Sequence, residues 1–459
     1  MNAEFNEFLA GMRGKRVTVI GMGVSNKPLI LLLLDSGAHV LVCDKKENHD
    51  KDFLADLKRR GAEFSFGSDY LAPILNSEII FKTPGMRYDC KELVKAEKKG
   101  ITVTTEMEKF LEFCKATSIG ITGSDGKTTT TTIVGKLLAQ AGKRAFVGGN
   151  IGTPLFAKSN EIEEKDFAVI ELSSFQLMNI KQSPDIAVIT NVTPNHLDVH
   201  KSMEEYTLAK ENIFRFSGGR VVLNYDNEIT RKIAAGLGKR AVLFSSHSII
   251  DDGYCIENGY IVRRTAGESR KVLKIADIKI PGMHNVENYM AAIAAVEGIV
   301  SDADIAEVAK SFGGVEHRME LVREKDGVKY YNDSIASSPT RTIAGLRAFN
   351  NKVILIAGGY DKHIPFDVLG DAVLKYTKAV VLVGATSEKI SYAIKKADGY
   401  DEKKLPLYIC ESFEDAVHKA SEIARSGDIV TLSPACASFD LFENFMARGE
   451  RFKEIVNSL

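Results

Sequence analysis

The chain has 459 residues, 44% of them hydrophobic and 26% charged, an ordinary balance for a soluble globular protein with length for about three domains. Sixty lysines and arginines against 61 aspartates and glutamates leave a net charge of −1, so no global field draws in nucleic acid or an anionic membrane, and small-molecule partners are expected. Six cysteines, at 43, 90, 114, 255, 410 and 436, form no CxxC pair and read as reduced thiols, which argues against a disulfide framework or a zinc site.

In chain order, Met1–Arg13 lacks the apolar core of a signal peptide. The longest apolar run, Pro28–Leu34, falls far short of the roughly 20 residues of a membrane span, so a cytoplasmic protein without membrane insertion is expected. Short apolar runs then recur, each ending in Gly, Asp, Asn or Ser and followed by a helical pattern, as buried parallel strands with crossover helices do. The first block has strands at Arg16–Ile20, His39–Cys43, Glu78–Phe81 and Ile101–Thr104. The second opens with Thr117–Ile121, has later strands ending near Glu171, Asn191 and Asn224, and passes through a β-rich stretch from Ala241 to Ile280 into a helix from about Val286. The third has strands at Val328–Tyr331, Lys352–Ala357, Ala379–Val383 and Ile429–Leu432. The pattern is α/β in three blocks, with boundaries expected near 105–112 and 313–316.

Gly120-Ile-Thr-Gly123-Ser-Asp-Gly126-Lys127-Thr128 carries the strongest local chemistry. A buried strand feeds a glycine-rich turn and a helix, so backbone N–H groups and the helix dipole converge on phosphate oxygens. Lys127 reaches the outer phosphates and the Thr128 hydroxyl suits Mg²⁺. The strict phosphate-loop pattern asks for glycine at 121, where this chain has Ile. Glu171 and His196 stand beyond neighbouring strands, at the edge where parallel sheets bind ligands. In the first block, Gly21-Met-Gly23-Val24-Ser25-Asn26 with Asp44 is an incomplete dinucleotide fingerprint, because Asn26 stands where the third glycine belongs. It reads equally as a tight turn in any αβ unit.

Thr122–Thr128, Gly149-Asn-Ile-Gly152, Glu171-Leu-Ser-Ser-Phe-Gln176-Leu, Asn191-Val-Thr-Pro-Asn-His196-Leu-Asp198 and His317-Arg318-Met-Glu320 resemble the Mur ligases. Ser433-Pro-Ala-Cys-Ala-Ser438-Phe-Asp440 and the Glu171–Leu177 string are most similar to the branch that adds D-glutamate. The resemblance runs through all three blocks in order, from Gly21 to Arg451. It implies a Rossmann-like N-terminal domain (1–108) for a UDP-linked substrate, a central ATPase-type domain (109–314), and a Rossmann-like C-terminal domain (315–459) for the amino acid. The implied reaction is ATP-dependent addition of D-glutamate to UDP-N-acetylmuramoyl-L-alanine through an acyl phosphate, in peptidoglycan precursor synthesis, by a monomer.

The resemblance also implies residue roles. Gly123, Ser124, Asp125, Gly126, Lys127, Thr128 and Thr129 hold the ATP phosphates, with Asn150 near the γ-phosphate. Asn285 and Asn288 contact adenine, and Arg318 and Asp333 reach phosphate and ribose. Two Mg²⁺ sites, which Mn²⁺ could also fill, draw on Thr128 and Glu171 and on His196 and Lys210. Lys210 matches a lysine that this family carbamylates with CO₂; from its sequence neighbourhood alone it is an ordinary surface lysine. Lys127, His196 and Lys210 form the implied catalytic set. Val24, Ser25, Asp44, Lys45, Thr83, Pro84 and Gly85 match the UDP-substrate site, and Lys362, Ser438, Phe439 and Phe445 the D-glutamate pocket.

Two departures stand out. The family's Asn-Asp-Ser-Lys-Ala-Thr-Asn is here Asn332-Asp333-Ser334-Ile335-Ala-Ser337-Ser338, so Ile335 removes a lysine charge for which Arg341 is the nearby substitute. Asp125 replaces the asparagine of many relatives and adds a carboxylate near phosphates. Competing readings are a sibling ligase or folylpolyglutamate synthase, a nicotinamide-dependent oxidoreductase built on Gly21–Asp44, and a nucleotide-regulated binding protein. An amino-acid panel, NADH binding and substrate-dependent ADP release separate them.

Overall fold

A computed structural model describes residues 2–194, 199–362 and 364–459. Among the described residues the strands form three sheets. The first contains β1 (Arg16–Ile20), β2 (His39–Asp44), β3 (Glu63–Phe66), β4 (Ile79–Phe81) and β5 (Thr102–Thr104), ordered β3-β2-β1-β4-β5 and wholly parallel. Its strand order reverses at β1, which opens a crevice beyond the carboxyl ends of β1 and β4.

The second sheet contains β6 (Thr117–Thr122), β7 (Ala145–Gly149), β8 (Phe167–Glu171), β9 (Ile186–Ile189), β10 (Arg220–Asn224), β11 (Ala241–Ser245), β12 (Gly253–Glu257), β13 (Tyr260–Thr265) and β14 (Glu268–Lys274). Its order is β14-β13-β12-β11-β10-β9-β6-β8-β7, parallel from β7 to β12 and antiparallel in the closing meander. The third comprises β15 (Glu320–Lys325), β16 (Val328–Asn332), β17 (Val353–Ala357), β18 (Thr377–Leu382), β19 (Leu407–Ile409) and β20 (Ile429–Leu432). Its order is β15-β16-β20-β17-β18-β19, with β15 antiparallel. The expected three-part α/β architecture is therefore present.

The chain divides into two compact units, Met1–Asp277 with Val286–Val308, and Ile278–Asn285 with Ala309–Leu459. The first unit holds two sheets because one apolar cluster joins them, running from Val17 and Val19 through Phe110 and Phe113 to Phe156, Ile170 and Ile189. The segment near 105–112 is the helix Glu106–Phe113, capped by Thr105. Phe113 meets Phe5 edge-on, with ring centroids 6.0 Å apart, and Phe5 meets Phe156 at 5.1 Å. Such aromatic contacts add to the area each ring buries. In the second unit, apolar clusters cover both faces of the third sheet.

The helix expected from about Val286 begins earlier, at Met283. Four strands carry no clear sequence signal: β3, β7, β15 and β19. All four are edge strands or lie beside solvent, and their side chains are mostly half-buried or exposed. Such strands need no continuous apolar run. Among the described residues no helix is long and apolar enough to cross a membrane.

Candidate active site

β6 delivers the chain into Gly123–Gly126, and the helix Lys127–Gln140 begins directly behind it. Gly126 has a left-handed backbone (φ 81°), and a Cβ there would strike the Asn288 side-chain oxygen. The missing glycine at 121 is without consequence, because Ile121 lies within β6 and is buried ahead of the turn.

The strand beside β6 clamps this loop. The Ser124 N–H donates to the Asn191 carbonyl (3.0 Å), and the Asp125 N–H donates to Asn191 Oδ1 (2.9 Å). The Thr190 hydroxyl donates to the Asp125 carbonyl at 2.5 Å. Lys127 folds back and donates to the carbonyls of Gly123 and Ser124, both at 2.9 Å. A loop fixed this way presents its remaining backbone donors without having to reorganise.

Glu171 ends β8 and pairs with Ile121 of β6, so its carboxylate stands one strand from the root of the loop. Asn150 Nδ2 donates to Glu171 Oε1 (2.9 Å), while Oε2 is buried with no hydrogen-bond partner among the described residues. An orphaned carboxylate oxygen suits a hard cation such as Mg²⁺. Thr128 is the second residue of the helix Lys127–Gln140, directly behind the loop. His196 lies outside the described residues.

Lys210 corrects its sequence reading: it is 1% exposed, far from an ordinary surface lysine. It sits on the helix Met203–Arg215, whose buried side brings the ammonium to the Gly123 carbonyl (2.8 Å) and Thr122 Oγ1 (3.4 Å). Burial holds its pKa well below the ordinary lysine value, and the Lys127 charge adds to this. The Tyr206 ring lies 4.6 Å from Lys210 Nζ, and the Tyr206 hydroxyl shares a 3.1 Å hydrogen bond with Ser124 Oγ. Tyr206 has no motif around it, and sequence reasoning missed it.

Asn288 accepts from Thr130 Oγ1 (3.3 Å), which places it beside the phosphate-loop helix. Asn285, one turn earlier in the helix Met283–Ala295, donates from Nδ2 to the Pro281 carbonyl (2.6 Å). Thr129 is buried under the loop.

In the first sheet, Asp44 ties two turns together. Its Oδ2 accepts from Met22 N–H (2.8 Å) and its Oδ1 from Lys46 N–H (2.9 Å). Gly21 (φ 90°) packs on the loop beyond β4: a Cβ there would lie 2.9 Å from Thr83 Cβ. Asn26 explains the absent third glycine, since its buried amide donates to the carbonyls of Ile20 and Gly21, both at 3.0 Å. Val24 and Lys45 are exposed and Ser25 half-buried near this turn, and Thr83–Gly85 lies at the end of β4.

In the second unit, Arg318 sits in a tight turn between His317 (φ 60°) and Met319 (φ 46°). Asp333, just after β16, accepts from Ser433 Oγ (2.8 Å) and Met319 N–H (3.3 Å). Full burial pushes its carboxyl up to about 7. Ser438 is buried, Phe439 is exposed against Tyr360, and Lys362 is exposed. The Phe445 carbonyl accepts from Ser334 Oγ (2.8 Å).

Arg448, another residue missed in the sequence, joins these segments. It is 2% exposed and donates to Ser334 Oγ (3.0 Å) and to the carbonyls of Ser334 (2.8 Å), Cys436 (3.1 Å) and Ala437 (3.0 Å). It thereby ties the segment after β16 to the segment after β20. Arg341 Nη1 lies 3.4 Å from the Ile335 carbonyl.

Family profiles match as the Mur ligase MurD-like N-terminal domain over residues 15–105, the Mur ligase middle domain over 121–296, and the Mur ligase glutamate ligase domain over 317–436. A UDP-N-acetylmuramoylalanine–D-glutamate ligase from Clostridium beijerinckii is 52% identical over 462 residues, covering 100% of both chains. One from Acetivibrio thermocellus is 49% identical at the same coverage. Among solved structures, the UDP-N-acetylmuramate-alanine ligase MurC from Thermotoga maritima superposes with a TM-score of 0.60 at 21% identity, over 97% of this chain and 99% of that one. Identity at that level speaks to the fold, and the full-length relatives speak to the family: this chain belongs to the Mur ligases.

Proposed function

We propose that this enzyme uses ATP to join D-glutamate to the alanyl carboxylate of UDP-N-acetylmuramoyl-L-alanine, in cytoplasmic synthesis of the peptidoglycan precursor. The observation that carries the reading is the phosphate loop itself, where Lys127 and Lys210 both donate to the Gly123 carbonyl. One cation is set for phosphate; the other is a buried amine whose pKa burial holds well below the ordinary lysine value.

In this reading Gly123–Thr129 cradle the ATP phosphates with Asn150, and Asn285, Asn288, Arg318 and Asp333 hold the rest of the nucleotide. Residues 1–108 take the uridine diphosphate through Val24, Ser25, Asp44, Lys45 and Thr83–Gly85. Residues 109–314 carry the ATP chemistry. Residues 315–459 take D-glutamate through Lys362, Ser438, Phe439 and Phe445, with Arg341 supplying the cation that Ile335 lacks. The enzyme acts as a monomer.

The substrate carboxylate attacks the γ-phosphorus, ADP leaves, and an acyl phosphate forms. The D-glutamate amine then attacks the acyl carbon, phosphate leaves and the amide remains. Lys127 offsets the charge that develops on the transferred phosphoryl group. The neutral Lys210 amine attacks the carbon of CO₂ and releases a proton to solvent, which leaves an anionic carbamate oxygen donor. Thr128 with Glu171, and His196 with the Lys210 carbamate, would hold two Mg²⁺ or Mn²⁺ ions, which supply charge neutralisation at the phosphates.

Phosphate release with UDP-N-acetylmuramoyl-L-alanine, ATP and each amino acid of a panel tests the reading. Release that depends on D-glutamate is expected. Equal or faster release with another amino acid, or none with any, would overturn it.

A further inference from the structure

The loop after β4 runs into a network that the reaction scheme leaves unused. Its turn Thr83–Met86 is closed by Met86 N–H donating to the Thr83 carbonyl (3.1 Å) and braced by Lys82 Nζ on the Met86 carbonyl (3.1 Å). Arg87 follows immediately, and all five of its N–H donors are engaged. Nε and Nη2 fork onto Asp89 (2.8 and 3.0 Å), Nη2 and Nη1 fork onto Glu205 (2.7 and 3.2 Å), and Nη1 also meets the Val199 carbonyl (2.7 Å). Only a planar guanidinium satisfies two carboxylates and a carbonyl from one point.

Glu205 belongs to the helix Met203–Arg215, which also carries Tyr206 and Lys210. Glu205 Oε2 accepts from Lys201 N–H (2.7 Å) and lies 3.7 Å from His200 Nδ1. The His200 ring stacks on Phe175 and shares a hydrogen bond through Nε2 with Ser174 Oγ (2.9 Å), just beyond Glu171. A short series of fixed contacts thus runs from the first-sheet turn to the phosphate loop. The pair is three-quarters shielded from solvent, and Arg87 holds Glu205 down to about 2.

We propose that Arg87 is a positioning residue: its double fork sets the Thr83–Gly85 turn at a fixed distance from the phosphate loop and Lys210. The inference rests on the reading of that turn as part of the UDP-substrate site. Misplacing a reacting group by about 1 Å lowers a rate by about 100-fold while leaving the separate binding sites intact. Arg87 therefore governs turnover more than the binding of either nucleotide.

The test compares wild type, Arg87→Ala, Arg87→Lys, Glu205→Gln and the Arg87→Ala/Glu205→Gln double variant. It measures kcat with UDP-N-acetylmuramoyl-L-alanine, and the stoichiometry and Kd of ADP and UDP by calorimetry. Arg87→Ala should lose about 100-fold in kcat with ADP stoichiometry unchanged and both Kd values within about threefold of wild type. The double variant should be no slower than Arg87→Ala, because both changes break one link. Near-wild-type kcat, additive losses, or a kcat loss that merely follows lost ADP stoichiometry would overturn the proposal. Should Arg87→Ala fail to fold, Arg87→Lys decides by the same criteria, with at least a tenfold loss of kcat expected because one ammonium cannot hold both forks. A wild type inactive on this substrate would instead sink the functional reading.

Discussion

Lys210 and Arg448, a buried cation from each compact unit, are accommodated in opposite ways. Lys210 meets two oxygens beside the phosphate loop, and burial holds its pKa well below the ordinary lysine value. Arg448 meets four oxygens, and burial lowers its pKa only to about 10, so it stays charged at neutral pH. The first arrangement yields a group that can change its chemistry. The second yields a permanent charge that fixes the segments on either side of it. Burial alone therefore does not mark a reactive residue; what separates the two is whether the side chain can shed its proton.

Converting the first case into the second gives the largest expected effect. Lys210→Arg keeps a cation but cannot form a carbamate, and it should lose about 1,000-fold in kcat (~4 kcal/mol of barrier), as should Lys210→Ala. A short carboxylic acid added to Lys210→Ala should restore part of the rate by supplying the missing oxygen donor. Wild-type turnover by Lys210→Arg would show that the residue serves as a plain cation and would collapse the contrast.

The reverse operation on Arg448 addresses stability. Arg448→Met leaves Ser334 Oγ and three carbonyls without their donor and should cost about 4 kcal/mol in chemical denaturation. Arg448→Lys should recover part of this, since an ammonium reaches fewer of the four oxygens. A loss below about 1 kcal/mol for Arg448→Met would mean that water replaces the guanidinium easily.

A buried acid extends the comparison to the opposite charge. Glu106 is 5% exposed and accepts the Phe156 N–H (2.9 Å), and burial raises its carboxyl to about 7. A carboxyl raised on folding contributes stability below its unfolded value near 4.5, and that contribution is lost as pH rises through about 7. Glu106→Gln can still accept the Phe156 N–H but does not titrate. Its stability relative to wild type should rise between pH 5 and pH 8 by up to about 3 kcal/mol. A pH-independent difference would show that Glu106 stays ionised in the fold.

The sequence made the phosphate loop legible because its parts are neighbours in the chain: Gly123 to Thr128 form one turn, and Asn191 follows the next strand over. Lys210 was different. Its burial depends on a helix some eighty residues later meeting the Gly123 carbonyl, and no local pattern around Leu208-Ala-Lys210 reports that contact. Arg448 was hidden likewise, since an arginine on a helix face ordinarily reads as solvated. Asn26 looked like a defect in a glycine fingerprint and proved to be a cap on the carbonyls of Ile20 and Gly21. The strands that escaped notice, such as β19, lie at sheet edges, where half-exposed side chains relax the apolar alternation.

The smallest expected effect concerns an exposed cation in the same region as Arg448. Arg341 is exposed on the helix Pro339–Arg347, with Nη1 3.4 Å from the Ile335 carbonyl, and it belongs to the charges that bear on Asp333. Unlike Arg448 it ties no segments together, so its removal should leave the fold's stability within about 0.5 kcal/mol of wild type. In the proposed reading its guanidinium, near Ile335, supplies the cation that the D-glutamate dicarboxylate needs. Arg341→Ala should therefore raise the KM for D-glutamate about tenfold, with the KM for ATP unchanged. Restoring the family charge by Ile335→Lys in the Arg341→Ala background should recover part of that loss. An unchanged KM for D-glutamate in Arg341→Ala would mean that Lys362 and the backbone around Ser438 suffice for the substrate, and that the lysine lost at 335 was never replaced.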